Sequence, residues 1–261
     1  QLHPEEKKTS PAMKFGSVYH DYLASIVNHG DLSEFYLQWR AFEPPMNPKT
    51  NLSYGVGTKA YETALWEQEA EGIELFDTEQ LHQIENMVNV LMTGSNHLSK
   101  DVQFLIKTGL AEQSHFIEYQ GAGFKYRTDL KTAKKMVDWK TCELGVPRAD
   151  EFPRQVVKFG YDISAAMYQF FEHELTGVWK PFFWIAQEKE PPYDFNILDS
   201  SEFTWDIFKQ DGEQRVVANV GAMKFIRMME QHIHCTENND WPGYSIFTQP
   251  DWRNKRIAIP E

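Results

Sequence analysis

A change of hydrophobic period at Ser114 restricts the fold of this chain more than any other feature of its sequence. Upstream, apolar residues recur at helical spacing. Val18, Tyr19, Tyr22, Leu23, Ile26 and Val27 form one stripe over residues 17–28, with His20 one residue off it. Leu81, Ile84, Met87, Val88, Leu91 and Met92 form a second, which Thr78 is placed to cap and Gly94 to end. Between them, residues 35–57 are rich in Pro, Asn and Gly, which predicts an irregular excursion before a helix over 59–72. Downstream of Ser114 come short strand-like runs: Phe116-Ile-Glu-Tyr119, the turn Gln120-Gly-Ala-Gly123, Phe124-Lys-Tyr-Arg127 and Met136-Val-Asp-Trp-Lys140. Helical spacing returns over 151–175 and closes at Thr176-Gly177; strands are expected over 180–187 and 193–198, and a long closing helix over 212–237. Helices, meander, helix, strand pair and helix, in that order, predict an α/β fold: a mixed central β-sheet flanked by helices on both faces.

Composition bounds what such a fold can do. With 261 residues, 41% apolar and 14% aromatic, the chain can bury one full core. A single domain is expected, with residues 1–12 and 249–261 as peripheral tails. Two cysteines, Cys142 and Cys235, are too few for a disulfide framework or a four-cysteine iron–sulfur cluster. No apolar run approaches the roughly 18 residues of a membrane span, and the start carries neither an apolar signal core nor a Met, so the expectation is a cytoplasmic, trimmed protein with no membrane partner. A formal charge of -12 excludes a generally basic surface and confines any nucleic-acid contact to a local patch. His232-Ile-His-Cys235 lacks a second ligand pair at metal spacing, and Trp179, Phe182, Phe183 and Trp184 read as core rather than as a base-stacking platform.

The chemistry concentrates in one segment. Residues two apart on a strand share a face, so Asp138 and Lys140 stand side by side, with Val137 and Trp139 turned the other way. If the strands around them pair across a turn at 130–135, Asp129 arrives beside Asp138. Two carboxylates and a lysine then converge, which suits a hard divalent ion and the hydrolysis of a phosphodiester. Lys125, Arg127, Lys131, Lys134 and Lys135 cluster around this point as phosphate-contact candidates. Taken alone, Asp-x-Lys near another Asp is more often an exposed strand with a salt-bridged lysine.

The order of motifs along residues 10–244 carries more. Gly16-Ser-Val-Tyr-His20, Gly109-Leu-Ala-Glu-Gln-Ser-His-Phe116, Arg127-Thr-Asp129 and Val137-Asp-Trp-Lys-Thr141 come first. Gly160-Tyr-Asp-Ile-Ser-Ala-Ala-Met-Tyr168, Phe183-Trp-Ile-Ala-Gln-Glu-Lys-Glu-Pro-Pro192 and Cys235-Thr-Glu-Asn-Asn-Asp-Trp-Pro-Gly-Tyr244 follow. In this order the chain resembles the phage and prophage recombination exonucleases of the exonuclease VIII (RecE) type, within the PD-(D/E)XK superfamily. The resemblance implies a restriction-endonuclease-like core with helical insertions. It implies a 5′-to-3′ exonuclease on double-stranded DNA ends, needing magnesium or, in its place, manganese. It further implies a homo-oligomeric ring that hands the remaining strand to a single-strand annealing protein, in the cytoplasm of a bacterium or phage-infected host. Carried over by motif, Asp129, Asp138 and His20 would hold the metal, Lys140 would be the catalytic lysine, and Glu112 matches an upstream acidic position. Tyr161, Ser164 and Tyr168, on one helix face, would line the DNA strand. The chain departs from the pattern at Thr128, where the superfamily name has Pro, at Ser164, where many relatives have Gln four residues before Tyr, and in its acidic balance. An endonuclease on the same core, structure-selective or helicase-associated, and a non-catalytic DNA-binding scaffold are the alternatives.

Overall fold

A computed structural model describes residues 10–55, 57–68 and 73–241. Most of the expected tails, residues 1–9 and 249–261, lie outside the described residues; Ser10, Pro11 and Ala12 belong to the first helix and its cap. The chain clusters into two compact units, each discontinuous in sequence. Unit one takes the residues up to Gln113, Thr128–Gln155 and Phe182–Asp199; unit two takes Ser114–Arg127, Val156–Pro181 and the residues from Ser200 on.

Unit one opens with α1, Pro11–His29. Ser10 caps it by accepting the Met13 N–H at 3.3 Å, Pro11 starts it, and Gly30, at φ 79°, ends it in the left-handed region. Then come α2 (Ser33–Gln38) and β1 (Trp39–Phe42), so only part of the excursion expected over 35–57 is irregular. α3, Lys59–Gln68, is followed by β2, Glu74–Asp77, which pairs parallel with β1. α4, Thr78–Thr93, is capped by Asp77, whose carboxylate accepts the Glu79 N–H at 2.7 Å. Thr78 is therefore its first residue rather than its cap, and the Thr78 hydroxyl donates to Phe42 O. α5, His97–Thr108, escapes the sequence reading because its stripe of Val102, Leu105 and Ile106 is short and set among polar residues.

The central sheet runs β3-β4-β5-β6-β7, from β3 (Leu110–Tyr119), β4 (Ala122–Lys131), β5 (Met136–Cys142), β6 (Phe182–Glu188) and β7 (Phe195–Asp199). β4–β5 and β6–β7 are antiparallel and β5–β6 parallel, so the sheet is mixed as expected. A parallel pair needs a long crossover, and residues 143–181 supply it. Val137, Trp139 and Ile185 turn one face of the sheet onto Val18, Leu23, Ile84, Met87, Leu91 and Leu105, the buried stripes of α1, α4 and α5.

The helix expected over 151–175 is two: α6 (Phe152–Phe159) and α7 (Tyr161–Thr176), parted by Gly160 at φ 70°. Gly177, at φ 69°, closes α7 at the expected place. The helix expected over 212–237 begins later. Asp211 (φ 53°) and Gly212 (φ 84°) form the turn of a hairpin, β8 (Trp205–Gln210) and β9 (Glu213–Ala218), and α8 spans Val220–Asn238. Within unit two, Glu172 is buried and accepts from Tyr126 Oη and Lys180 Nζ, each at 2.8 Å. Among the described residues no helix is long and apolar enough to cross a membrane.

Candidate active site

The site lies in unit one, where β4 and β5 part. Their ladder has two pairs, Leu130↔Val137 and Lys131↔Met136, closed by a turn over 132–135 with Thr132 N donating to Lys135 O at 2.9 Å. The turn is tighter than the one expected over 130–135. Beyond the second pair, side chains replace the partner strand. Trp139 N–H donates to Asp129 Oδ2 at 2.8 Å, and Trp139 O accepts from the imidazole of His20 at 3.1 Å. Every backbone polar group in a buried strand needs a partner, and the groups that occupy this fork are the metal-ligand candidates themselves.

The tautomer of His20 follows. A carbonyl can only accept, so Nε2 carries the hydrogen, and on a neutral ring Nδ1 is a bare lone pair. Burial and the Lys140 ammonium lower the pKa of His20 to about 4, so the ring is neutral at physiological pH. Nδ1 faces Asp129 Oδ2 at 3.5 Å and Glu112 Oε1 at 3.9 Å. One donor atom from each of the three side chains lies within 4.8 Å of the others.

Glu112 reaches this point from a left-handed conformation, φ 53°, inside β3. That backbone costs a non-glycine residue about 1–3 kcal/mol, and such strain persists where surrounding structure holds a functional side chain in place. Asp138 and Lys140 share one face of β5 and form a direct ion pair, while Val137 and Trp139 are buried on the other face, as their alternation predicts. Burial and the neighbouring Asp129 carboxylate push the pKa of Asp138 up to about 7, and burial raises Asp129 as well. Burial thus favours the protonated form of both carboxyls, most for Asp138, while the Lys140 ammonium opposes it. Two carboxyls and an imidazole lone pair that meet this closely repel unless a proton or a cation lies between them. The donor set of Asp129, Glu112 and His20 Nδ1 therefore fits a divalent metal ion, whereas Asp138, the other expected ligand, falls outside that group and is ion-paired with Lys140.

The family model of the PDDEXK-like domain of unknown function (DUF3799) matches residues 2–245. The chain belongs to that family. It lies within the PD-(D/E)XK nuclease superfamily, as its motif order implied. The fold is also similar to the crystal structure of a protein from Eubacterium rectale that bears a provisional exonuclease name: TM-score 0.54, 18% identity, 98% of this chain and 79% of that one covered. No curated protein matches the chain in sequence.

In this PDDEXK-like domain Thr128, at the position of the superfamily's Pro, is fully buried in β4. Along β4, Lys125 and Arg127 are exposed and Asp129 and Lys131 half-buried, alternating with buried Tyr126, Thr128 and Leu130. Lys134 and Lys135 sit on the 132–135 turn, outside the group of metal-ligand candidates, with Lys135 Nζ 4.8 Å from the Phe183 ring. Tyr161, Ser164 and Tyr168 belong to α7 in unit two. Ser164 is exposed, Tyr161 stacks near Phe159 and Tyr168 packs on Tyr126. Gln169, beside Tyr168, is buried and donates to Lys180 O, which keeps it from standing in for the missing Gln.

Two residues of the PDDEXK-like domain that position the site went unrecognised in the sequence. Tyr19 and Gln187 are fully buried, and the Tyr19 hydroxyl donates to Gln187 Oε1 at 2.6 Å. Gln187 Nε2 in turn donates to Met87 O and Tyr193 O, which fixes the amide's orientation. Gln187 pairs with Thr141, so this bond ties α1, and with it His20, to the strand that carries Asp138 and Lys140. The only sequence signal was a polar residue in an otherwise apolar strand.

Proposed function

We propose that this chain hydrolyses DNA phosphodiester bonds with a divalent metal ion, acting from double-stranded ends as a 5′-to-3′ exodeoxyribonuclease of the phage-recombination type. The observation that carries the hydrolytic reading is the fork between β4 and β5. There three lone-pair donors from distant parts of the chain meet within 4.8 Å, and an acid–lysine ion pair stands on the adjoining strand.

A divalent ion held there supplies Lewis-acid polarisation of a phosphoryl oxygen and makes a nearby water more acidic. Asp129, with one oxygen fixed by the Trp139 N–H, offers a preset lone pair. His20 keeps its ring oriented through the Trp139 carbonyl. Asp138, beside Lys140 on the same face of β5, would add a further carboxylate toward the ion. Lys140, held beside Asp138, would offset the negative charge that grows on the phosphoryl oxygens as water adds and the P–O bond to the leaving strand breaks.

Magnesium suits the oxygen donors, and manganese suits them together with the imidazole. The end-directed polarity, the homo-oligomeric ring and the hand-over of a strand to a single-strand annealing protein rest on the resemblance to the exonuclease VIII type. A linear duplex labelled at either its 5′ or its 3′ end, incubated with and without magnesium beside a covalently closed circle, tests the reading. Loss of the 5′ label as mononucleotide, with the circle intact, is the expected result. Cutting of the circle would replace it with the endonuclease reading, and no cleavage under any metal would overturn both.

A further inference from the structure

The hairpin formed by residues 114–127, wholly within unit two, has two unlike faces. Its turn, Gln120 (φ 50°) and Gly121 (φ 75°), is the two-residue type that joins adjacent antiparallel strands and sets them directly opposite one another. The ring contacts fit that register: His115 stacks on Tyr126 at 4.7 Å, and Lys125 Nζ lies 5.4 Å from the Phe116 ring. Alternation then sorts the side chains. Tyr119, Phe124 and Tyr126 pack on Phe170, Phe171 and Tyr168 of α7. On the other face Phe116 is 72% exposed, with Lys125 and Arg127 exposed on the facing strand and one exposed acid, Glu118, on its own strand. At Gly123 an added Cβ would meet no atom within 4 Å, so that part of the face is open and low.

We infer that this outer face binds single-stranded DNA, with Phe116 stacking on an unpaired base and Lys125 and Arg127 holding the flanking phosphates. The proposal deepens the DNA reading above by assigning an element that grips an unpaired strand. A flat aromatic ring standing on a strand with cations beside it is the composition that sequence-tolerant single-strand binders use, because every base has a π-face and every nucleotide a phosphate. Charge complementarity favours a polyanion over a second copy of this chain. The chain carries a formal charge of -12, so two cations grouped beside an exposed aromatic would attract a nucleic acid more than they would another acidic protein surface. Lys125 also lies over the Phe116 ring, where a stacked base would be close to its ammonium group.

The test is fluorescence anisotropy of a labelled oligothymidylate with the full chain carrying Asp138→Asn, so that cleavage does not interfere, and with further substitutions in that background. Phe116→Ala is expected to weaken binding about tenfold while leaving the melting temperature unchanged, and Phe116→Trp to retain affinity. Lys125→Ala is expected to reduce the slope of log affinity against log salt by about one phosphate contact. Unchanged oligothymidylate affinity in Phe116→Ala would overturn the proposal. So would a change in oligomeric state by light scattering with DNA binding intact, since the ring would then serve a second copy of the chain. Cleavage by Asp138→Asn itself would sink the hydrolytic assignment while leaving the hairpin result to be read on its own.

Discussion

A neutral imidazole and two carboxyls make an uneven donor set, and the difference can be measured. Magnesium accepts oxygen far more readily than nitrogen, whereas manganese tolerates both. His20→Ala is therefore expected to weaken manganese binding more than magnesium binding in calorimetric titrations. Equal loss of both would mean that the ring orients Asp129 without ligating. Asp138 gives a second prediction, made for metal-free protein in chelator. Its carboxyl, ordinarily near 3.8, is held up at about 7. Between those values the fold keeps a proton that the unfolded chain has released, so the group's contribution to stability is present at low pH and lost as pH rises through 7. Asn does not titrate, so the stability of Asp138→Asn relative to the parent is expected to shift in the variant's favour as pH rises from about 4 to about 8. His20 works the other way: its value is depressed to about 4, so its contribution is lost as pH falls below about 6.5. Urea titrations of both chains across pH check the prediction, and a gap that does not vary with pH would refute it. The face shared by Asp138 and Lys140 was legible in the sequence because strand alternation is local. The tautomer of His20 was not, because it depends on a carbonyl 119 residues away.

At the scale of elements, α4, with its long, regular stripe, was found near its true bounds and α1 near its C-terminal end, its start at Pro11 lying well before the expected residue 17, and the helices governed by one residue were not. Gly160 is the clearest case. Apolar spacing runs on through residues 152–175, but Gly160 takes φ 70° and turns one expected helix into α6 and α7. An added methyl there would meet only Ile163 Cδ1, at 3.8 Å, so Gly160→Ala acts through the backbone alone. It is expected to cost about 1–2 kcal/mol in urea denaturation, the penalty of the left-handed region for an L side chain. A neutral result would mean that the joint readily straightens into one helix. The β8–β9 hairpin carried its own signal, Asp211-Gly212, a dipeptide that favours two-residue turns. The apolar residues that follow it had been absorbed into the helix pattern of α8.

At the scale of the whole molecule, two groups of residues from distant parts of the sequence hold features that no single element could. In unit two, the buried Glu172 takes hydrogen bonds from Tyr126 and Lys180. Lys180→Met is expected to cost about 3–5 kcal/mol by leaving a buried charge uncompensated, whereas joining it to Glu172→Leu should recover most of that loss. Additive losses in the double-mutant cycle would exclude the coupling. In unit one the metal-ligand candidates span residues 20 to 129, a set that the unfolded chain cannot assemble. Manganese at about a hundredfold over its dissociation constant should therefore stabilise the fold by about 2.7 kcal/mol. The gain should vanish with chelator and in Asp129→Ala, as read by thermal melting; a gain that survives in Asp129→Ala would place the ion elsewhere. The sequence by itself determined the periods of the longer segments, the stripes of α1 and α4 among them, and that Asp138 and Lys140 share a strand face. Those are properties of neighbours along the chain. Only the tertiary structure decided that β4 leaves β5 after two ladder pairs, so that Asp129 and His20 take over the bare backbone of Trp139 while a left-handed Glu112 turns toward them. That arrangement satisfies buried polar groups across more than a hundred residues of chain, and no local pattern encodes it.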